Sequence, residues 1–187
     1  MKILQELWQT IAVNFKNRLL AKFDPTTLVA PPEDDALRSK FEMPHKGFYI
    51  LIFDGSNKKV ARVGFMEENK ENIINSANKA IEALYVDLKA QNVPYKKLLT
   101  CVFNFVVIWD VVFINNGLNW DENVDGIYFS WGDRYKGFYL PLEIKQMTVP
   151  KIEIMNRVCT WEAGVPSNLW RLPEGLCFKL ICDSFKL

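Results

Sequence analysis

The chain has 187 residues, 49% of them hydrophobic and 13% aromatic, with 13 Phe and 6 Trp, a composition far from that of a disordered chain and sufficient for a sizeable core. Its 23 basic and 22 acidic side chains leave a formal charge of +1, so no global field draws in nucleic acid. The longest apolar run falls well short of the ~20 residues of a membrane helix, so neither nucleic acid nor membrane is expected as a partner.

Residues 3 to 23 place Ile3, Leu4, Leu7, Trp8, Ile11, Phe15, Leu19 and Phe23 on one helical stripe, predicting an amphipathic helix docked on the core. Glu6, Gln9 and Asn14 interrupt any signal-peptide apolar region, and a cytoplasmic chain is expected. From Asp24 to Lys46, Pro25, Pro31, Pro32 and Pro44 with the acidic run Glu33-Asp34-Asp35 predict a long loop, with room for a short helix over 35–41. This loop holds the one histidine, His45, read as a surface residue.

Gly47 to Asp54 reads as a strand covered on both faces. Asp54-Gly55-Ser56-Asn57-Lys58 turns it into a partner strand, Lys59 to Phe65, which carries Arg62 among Val60, Ala61 and Val63. A second helix is predicted over Glu67–Ala90, with Ile73, Ile74, Ala77, Ile81, Leu84 and Leu88 on one face and Asn92-Val93-Pro94 ending it. Cys101 to Ile114 is a long β-branched and aromatic strand, and Asp110 within it suggests a bulge or bend nearby.

Gly132-Asp133 between aromatic runs predicts a hairpin, with Trp131 and Tyr135 flanking the turn and Pro141 stopping its second strand. A third helix follows from about Pro150 to Ala163, ended by Gly164 and Pro166, and a last strand alternates from Gly175 to Phe185. The order is not a regular strand–helix alternation. It predicts an α+β fold over residues 1–187 as a single domain, a mostly antiparallel sheet flanked by about three main helices, with 47–187 as its core.

Chemical motifs are sparse. The 9 glycines form no phosphate-cradling pattern, and the four cysteines contain no Cys-x-x-Cys pair and read as buried small hydrophobes. Neither a metal nor an organic cofactor is expected, and no catalytic residue is assigned. Four side chains remain as binding candidates. Arg62 and Asp110 are charges embedded in apolar strands, which suits either a polar ligand or an ion pair or edge position. Trp131 and Tyr135, beside the hairpin turn, suit either a stacking platform or core packing.

Several of these signals in this order are similar to the AMMECR-one domain family, whose prokaryotic members are called AmmeMemoRadiSam system protein A. The resemblance is carried by Gly126-Ile127-Tyr128-Phe129-Ser130, by Gly137-Phe138-Tyr139-Leu140-Pro141, and by Cys159 with Ala163-Gly164-Val165-Pro166 and Trp170. Upstream, Asn75-Ser76-Ala77 and Pro94-Tyr95-Lys96-Lys97-Leu98 add to it, so that it spans roughly Gly47 to Phe185. Where that family has Leu-Arg-Gly-Cys-Ile-Gly, this chain reads Lys59-Val60-Ala61-Arg62-Val63-Gly64, so nothing carried by the family's arginine and thiol transfers. The resemblance implies a divergent AMMECR-like protein of unassigned activity, a small-ligand or protein-binding module. The alternative is an enzyme of unknown reaction, acting on a polar small molecule in a cleft near Arg62, Asp110 and Glu143. The expected partner is an unidentified protein or small molecule, and a homodimer is left open.

Overall fold

The computed structural model describes residues 2–27, 44–66 and 73–187, without the side chains of 2–7 and Thr10. The predicted loop over 28–43, its short helix, and the first turns of the second helix at 67–72 lie outside the described residues. The fold is α+β, with a six-stranded antiparallel sheet in the order β2-β1-β3-β6-β4-β5. Its strands are β1 (Gly47–Phe53), β2 (Lys59–Met66), β3 (Val102–Phe113), β4 (Asp125–Trp131), β5 (Tyr135–Tyr139) and β6 (Gly175–Lys186). The chain divides into two compact units, Met1–Val107 with Asp183–Leu187, and Ile108–Cys182. Strands β3 and β6 run from one unit into the other.

In the first unit, α1 (Lys2–Phe23) buries Trp8, Ile11, Phe15 and Leu19, the stripe its period predicts. Phe15 meets Phe48 edge-on at 6.2 Å and Phe105 at 5.9 Å, while Trp8 stacks on Phe185 at 4.5 Å. All seven residues of β1 are buried, as a strand without polar alternation requires. The turn to β2 is held by Asp54, whose Oδ1 accepts the N–H groups of Ser56 and Lys58 and the Ser56 hydroxyl. Those donors, led by the Ser56 hydroxyl, hold the Asp54 carboxyl below its ordinary range.

Gly64 stands opposite Tyr49 in the β1–β2 ladder, and a Cβ there would lie 2.1 Å from the Phe48 carbonyl oxygen and 2.6 Å from Tyr49 Cδ1. Only glycine lets the tyrosine ring fold across its partner strand. Helix α2 (Ile73–Ala90) packs Ile73, Ala77, Ile81, Leu84 and Leu88 inward. The brief α3 (Tyr95–Leu99) follows it, with Pro94 at its start.

His45 corrects the sequence reading, because it is buried rather than a surface residue, and its Nε2 lies 3.0 Å from the Ser76 hydroxyl of α2. A polar ring removed from water needs such a partner.

In the second unit, β4 and β5 form the predicted hairpin, with Trp131 opposite Tyr135 and Gly132 at φ +59 in the turn. Strand β5 stops at Tyr139, and Pro141 opens the short α4 (Pro141–Ile144). The third long helix runs as α5 (Lys151–Arg157) and then widens into a π-helical turn, Val158–Glu162. There the Ala163 N–H reaches the Val158 carbonyl at 2.9 Å, and Gly164 (φ +70) ends it as predicted.

One face of this sheet, with Ile127, Phe129, Tyr139 and Cys177, packs on Ile154, Met155, Val158 and Cys159 of that helix. Close approach is possible because Gly137 of β5 has no side chain. A Cβ there would lie 2.7 Å from Val158 O, Ala163 N and Glu162 Cβ.

Along β3 and β6 the pairing changes register. Phe103 exchanges both ladder bonds with Leu187, and Ile114 donates to the Cys177 carbonyl at 2.9 Å. Eleven steps on one strand therefore match ten on the other, and the single extra residue of β3 lies in the interval that holds Asp110, as a bulge requires.

Candidate functional site

Alternation along β4 sends Ile127 and Phe129 to the helix-covered face and Tyr128 to the other. There the cross-strand partners of Tyr128 are Phe178 on β6 and Phe138 on β5. Phe178 also meets Phe113, at the end of β3, ring centroids 5.6 Å apart at 68°, and meets Tyr128 at 5.6 Å and 50°. Four rings thus lie in a row across four neighbouring strands. Tyr128, Phe138 and Phe178 are half-buried, while Phe113 is 51% exposed. Cross-strand aromatic pairs stabilise a sheet by about 0.2–1 kcal/mol each, but leaving such rings half in water forgoes most of their burial.

The row ends at a cleft of about 400 Å³. Phe113, Leu176 and Leu172, the last 42% exposed, line it with Asn115, Asn116 and Arg171. Trp170 anchors the wall, its indole N–H donating to Asn156 Oδ1 at 3.1 Å. The Arg171 guanidinium lies over the Trp170 ring, 4.8 Å from its centroid, within cation–π reach. No salt bridge holds Arg171 among the described residues.

Beneath the cleft are two free thiols. Cys177 Sγ points at the Trp170 carbonyl at 3.8 Å, and burial pushes its pKa up to about 12. Burial likewise raises Cys159 to about 11. Both are therefore neutral and poor nucleophiles near pH 7.

A second hollow, about 510 Å³ and mostly polar, lies around Trp120, Asp121, Asp125 and Lys151. Its charges are largely engaged within the protein. Asp125 accepts the Asp121 N–H at 2.9 Å, Asp121 accepts from Asn123, and the Lys151 ammonium donates to the Trp120 carbonyl beneath its own ring contact with that indole.

The four residues singled out from sequence are dispersed. Arg62, on the edge strand β2, belongs to the first unit and is half-buried opposite Leu51. Asp110 belongs to the second unit, is exposed, and accepts the Val111 N–H at 2.8 Å. Trp131 and Tyr135 are cross-strand partners, but Trp131 packs against the helix-covered core, while Tyr135 is 45% exposed. None of the four lines the cleft. Glu143, offered with Arg62 and Asp110 for a catalytic cleft, is buried and caps α4, its Oε2 accepting the Leu140 N–H at 3.1 Å.

The cleft residues were not singled out, because Phe113, Trp170 and Leu176 meet only through strand register. The available signals were the Asn115-Asn116-Gly117 turn and the Trp170-Arg171-Leu172-Pro173 run that follows the helix. Among the described residues no cluster of three or more His, Cys, Asp or Glu could hold a metal, and no helix is long and apolar enough to cross a membrane.

No protein-family model matches the chain, and no curated protein matches it. Among solved structures it is similar to the uncharacterized protein PH0010 from Pyrococcus horikoshii, at 16% identity and a TM-score of 0.76, over 96% of this chain and 91% of that one. At that identity the likeness is one of fold, and it extends over nearly the whole chain.

Proposed function

We propose that this protein is a divergent AMMECR-like binding module, and that its ligand is a small molecule seated in the cleft at the end of the aromatic row. The observation that carries this reading is the exposure of Phe113, Leu172 and Leu176 in the lining of the cleft beside Arg171, which no salt bridge holds among the described residues. A concave site of a few hundred Å³ that combines apolar side chains with a few polar groups suits a small ligand. Trp170, the last residue of the segment that resembles the AMMECR-like signature, lines this cleft. The surrounding backbone is held by strands and an anchored tryptophan, so little ordering would be required on binding.

The test is a fragment titration followed by amide and indole chemical shifts, with wild type and Leu176→Asn in parallel. Saturable shifts centred on Phe113, Trp170 and Leu176, weakened by the substitution, support the reading. Failure of every fragment to saturate, or shifts elsewhere that Leu176→Asn leaves untouched, overturn it.

A further inference from the structure

We infer that the cleft selects a monocarboxylate attached to an apolar body, with the carboxylate on Arg171 and the body against Phe113, Leu172 and Leu176; this deepens, and rests on, the reading of the cleft as a ligand site. Charge comes first. Among the described residues lining the cleft, Arg171 is the sole formal charge, since no Asp or Glu lines it. Cys177 beneath it stays protonated. A cation lining a hollow that holds no carboxylate raises the local concentration of anions and disfavours cations.

Geometry then narrows the anion. The guanidinium lies over the Trp170 ring, 4.8 Å from its centroid, a contact that keeps its charge at the cleft. Its planar fork matches a carboxylate through two parallel N–H···O bonds. A phosphate monoester would bring nearly two negative charges to one cation and leave part of its charge unmatched at an apolar wall.

The apolar wall sets the other requirement. Leu172 and Leu176 are 42% and 41% exposed, and Phe113 is 51% exposed, so an occupant with a ring or branched chain removes three large side chains from water together. Asn115 and Asn116, exposed in the same lining, suit a second polar group on the ligand but add no charge.

The test uses the full chain and three probes of matched body, 4-phenylbutyrate, its primary amide and 3-phenylpropyl phosphate, titrated while the Trp170 indole N–H resonance is followed. The carboxylate is expected to bind at least about tenfold more tightly than the amide, the difference of one charge-assisted contact of ~1.4 kcal/mol. Arg171→Gln should remove that preference while leaving amide affinity within about twofold, and Arg171→Lys should restore part of it, because charge returns without the fork. Arg171 is exposed, so these variants fold.

Equal binding of carboxylate and amide overturns the inference yet leaves the cleft a ligand site. Loss of both probes on Arg171→Gln assigns the arginine to the wall rather than to the anion, and 3-phenylpropyl phosphate binding more tightly than the carboxylate overturns the choice of anion. No saturation by any probe overturns the inference as well, and the fragment titration with Leu176→Asn then decides whether the cleft binds anything.

Discussion

Replacing Gly137 by Ala tests the closest approach in the second unit. The added Cβ would stand 2.7 Å from Val158 O, Ala163 N and Glu162 Cβ, where ordinary contact begins at 3.4 Å, so strand and turn must separate by 3.4 − 2.7 = 0.7 Å. Two of those atoms are the acceptor and donor of the 2.9 Å bond that closes the π-helical turn, so the separation strains that bond as well. Overpacking at about 1–3 kcal/mol and a weakened buried hydrogen bond at about 1 kcal/mol give a loss of roughly 2–4 kcal/mol.

For a chain of this size that loss corresponds to roughly 5–15 °C in Tm. Urea denaturation of wild type and variant measures it, with hydrogen exchange at the Ala163 amide as a local readout. Gly55→Ala is the control, because nothing lies within 4 Å of a Cβ there, and it should be neutral or slightly stabilising through the unfolded chain. A Gly137→Ala protein within about 0.5 kcal/mol of wild type, with unchanged Ala163 protection, refutes the argument that this strand is glycine-gated.

Glu143→Ala removes the acceptor of the Leu140 N–H and should cost about 1–2 kcal/mol by denaturation, whereas Glu143→Gln, which keeps an acceptor, should lose less. Alkylation of the native protein at pH 8 should label half-buried Cys182 first and Cys159 and Cys177 last, as read by peptide mass mapping. The two deep thiols have folded pKa values above the ordinary thiol range, so their stabilising contribution is complete below pH ~9 and is lost as pH rises toward their folded values of about 11 and about 12. Stability should therefore fall from pH ~9 upward, by at most about 1.4 kcal/mol per pH unit per thiol, and Cys177→Ala should flatten that fall in denaturation series. Trp161, 67% exposed and stacked by Arg157 at 4.6 Å, should tolerate Ala with a loss of about 0.5–1 kcal/mol in the same assay.

What the sequence discloses here is what depends on neighbours close along the chain. The stripe from Trp8 to Leu19 and the Gly132-Asp133 turn follow from local periodicity and turn chemistry, and each appears where it is expected; β6 spans the expected residues, but it buries Cys177 and Leu180, of opposite parity, rather than one alternating face. The burial of His45 depends on Ser76, 31 residues away, and a proline-flanked position gives no hint of it. The π-helical turn has no composition of its own; the contact of its Val158 and Ala163 backbone with Gly137 is a tertiary matter. Arg62 and Asp110 do stand out locally as charges in apolar strands, yet one lies on the edge strand β2 and the other is exposed, positions that a charge tolerates without any ligand. The cleft assembles Phe113, Arg171 and Leu176 from two strands and a 3₁₀ turn at Leu169–Arg171, and register across the sheet is the property a single sequence states least.

The first unit takes Asp183–Leu187 as its last piece, with Leu187 paired to Phe103 and Phe185 lying on Trp8. During synthesis, then, that unit waits for the ribosome to read through the whole of Ile108–Cys182 before its final strand exists. At about 5–20 residues per second the delay is several seconds or more, during which a nascent Val102–Val107 segment has one flank unpaired and open to chaperones or to mispairing.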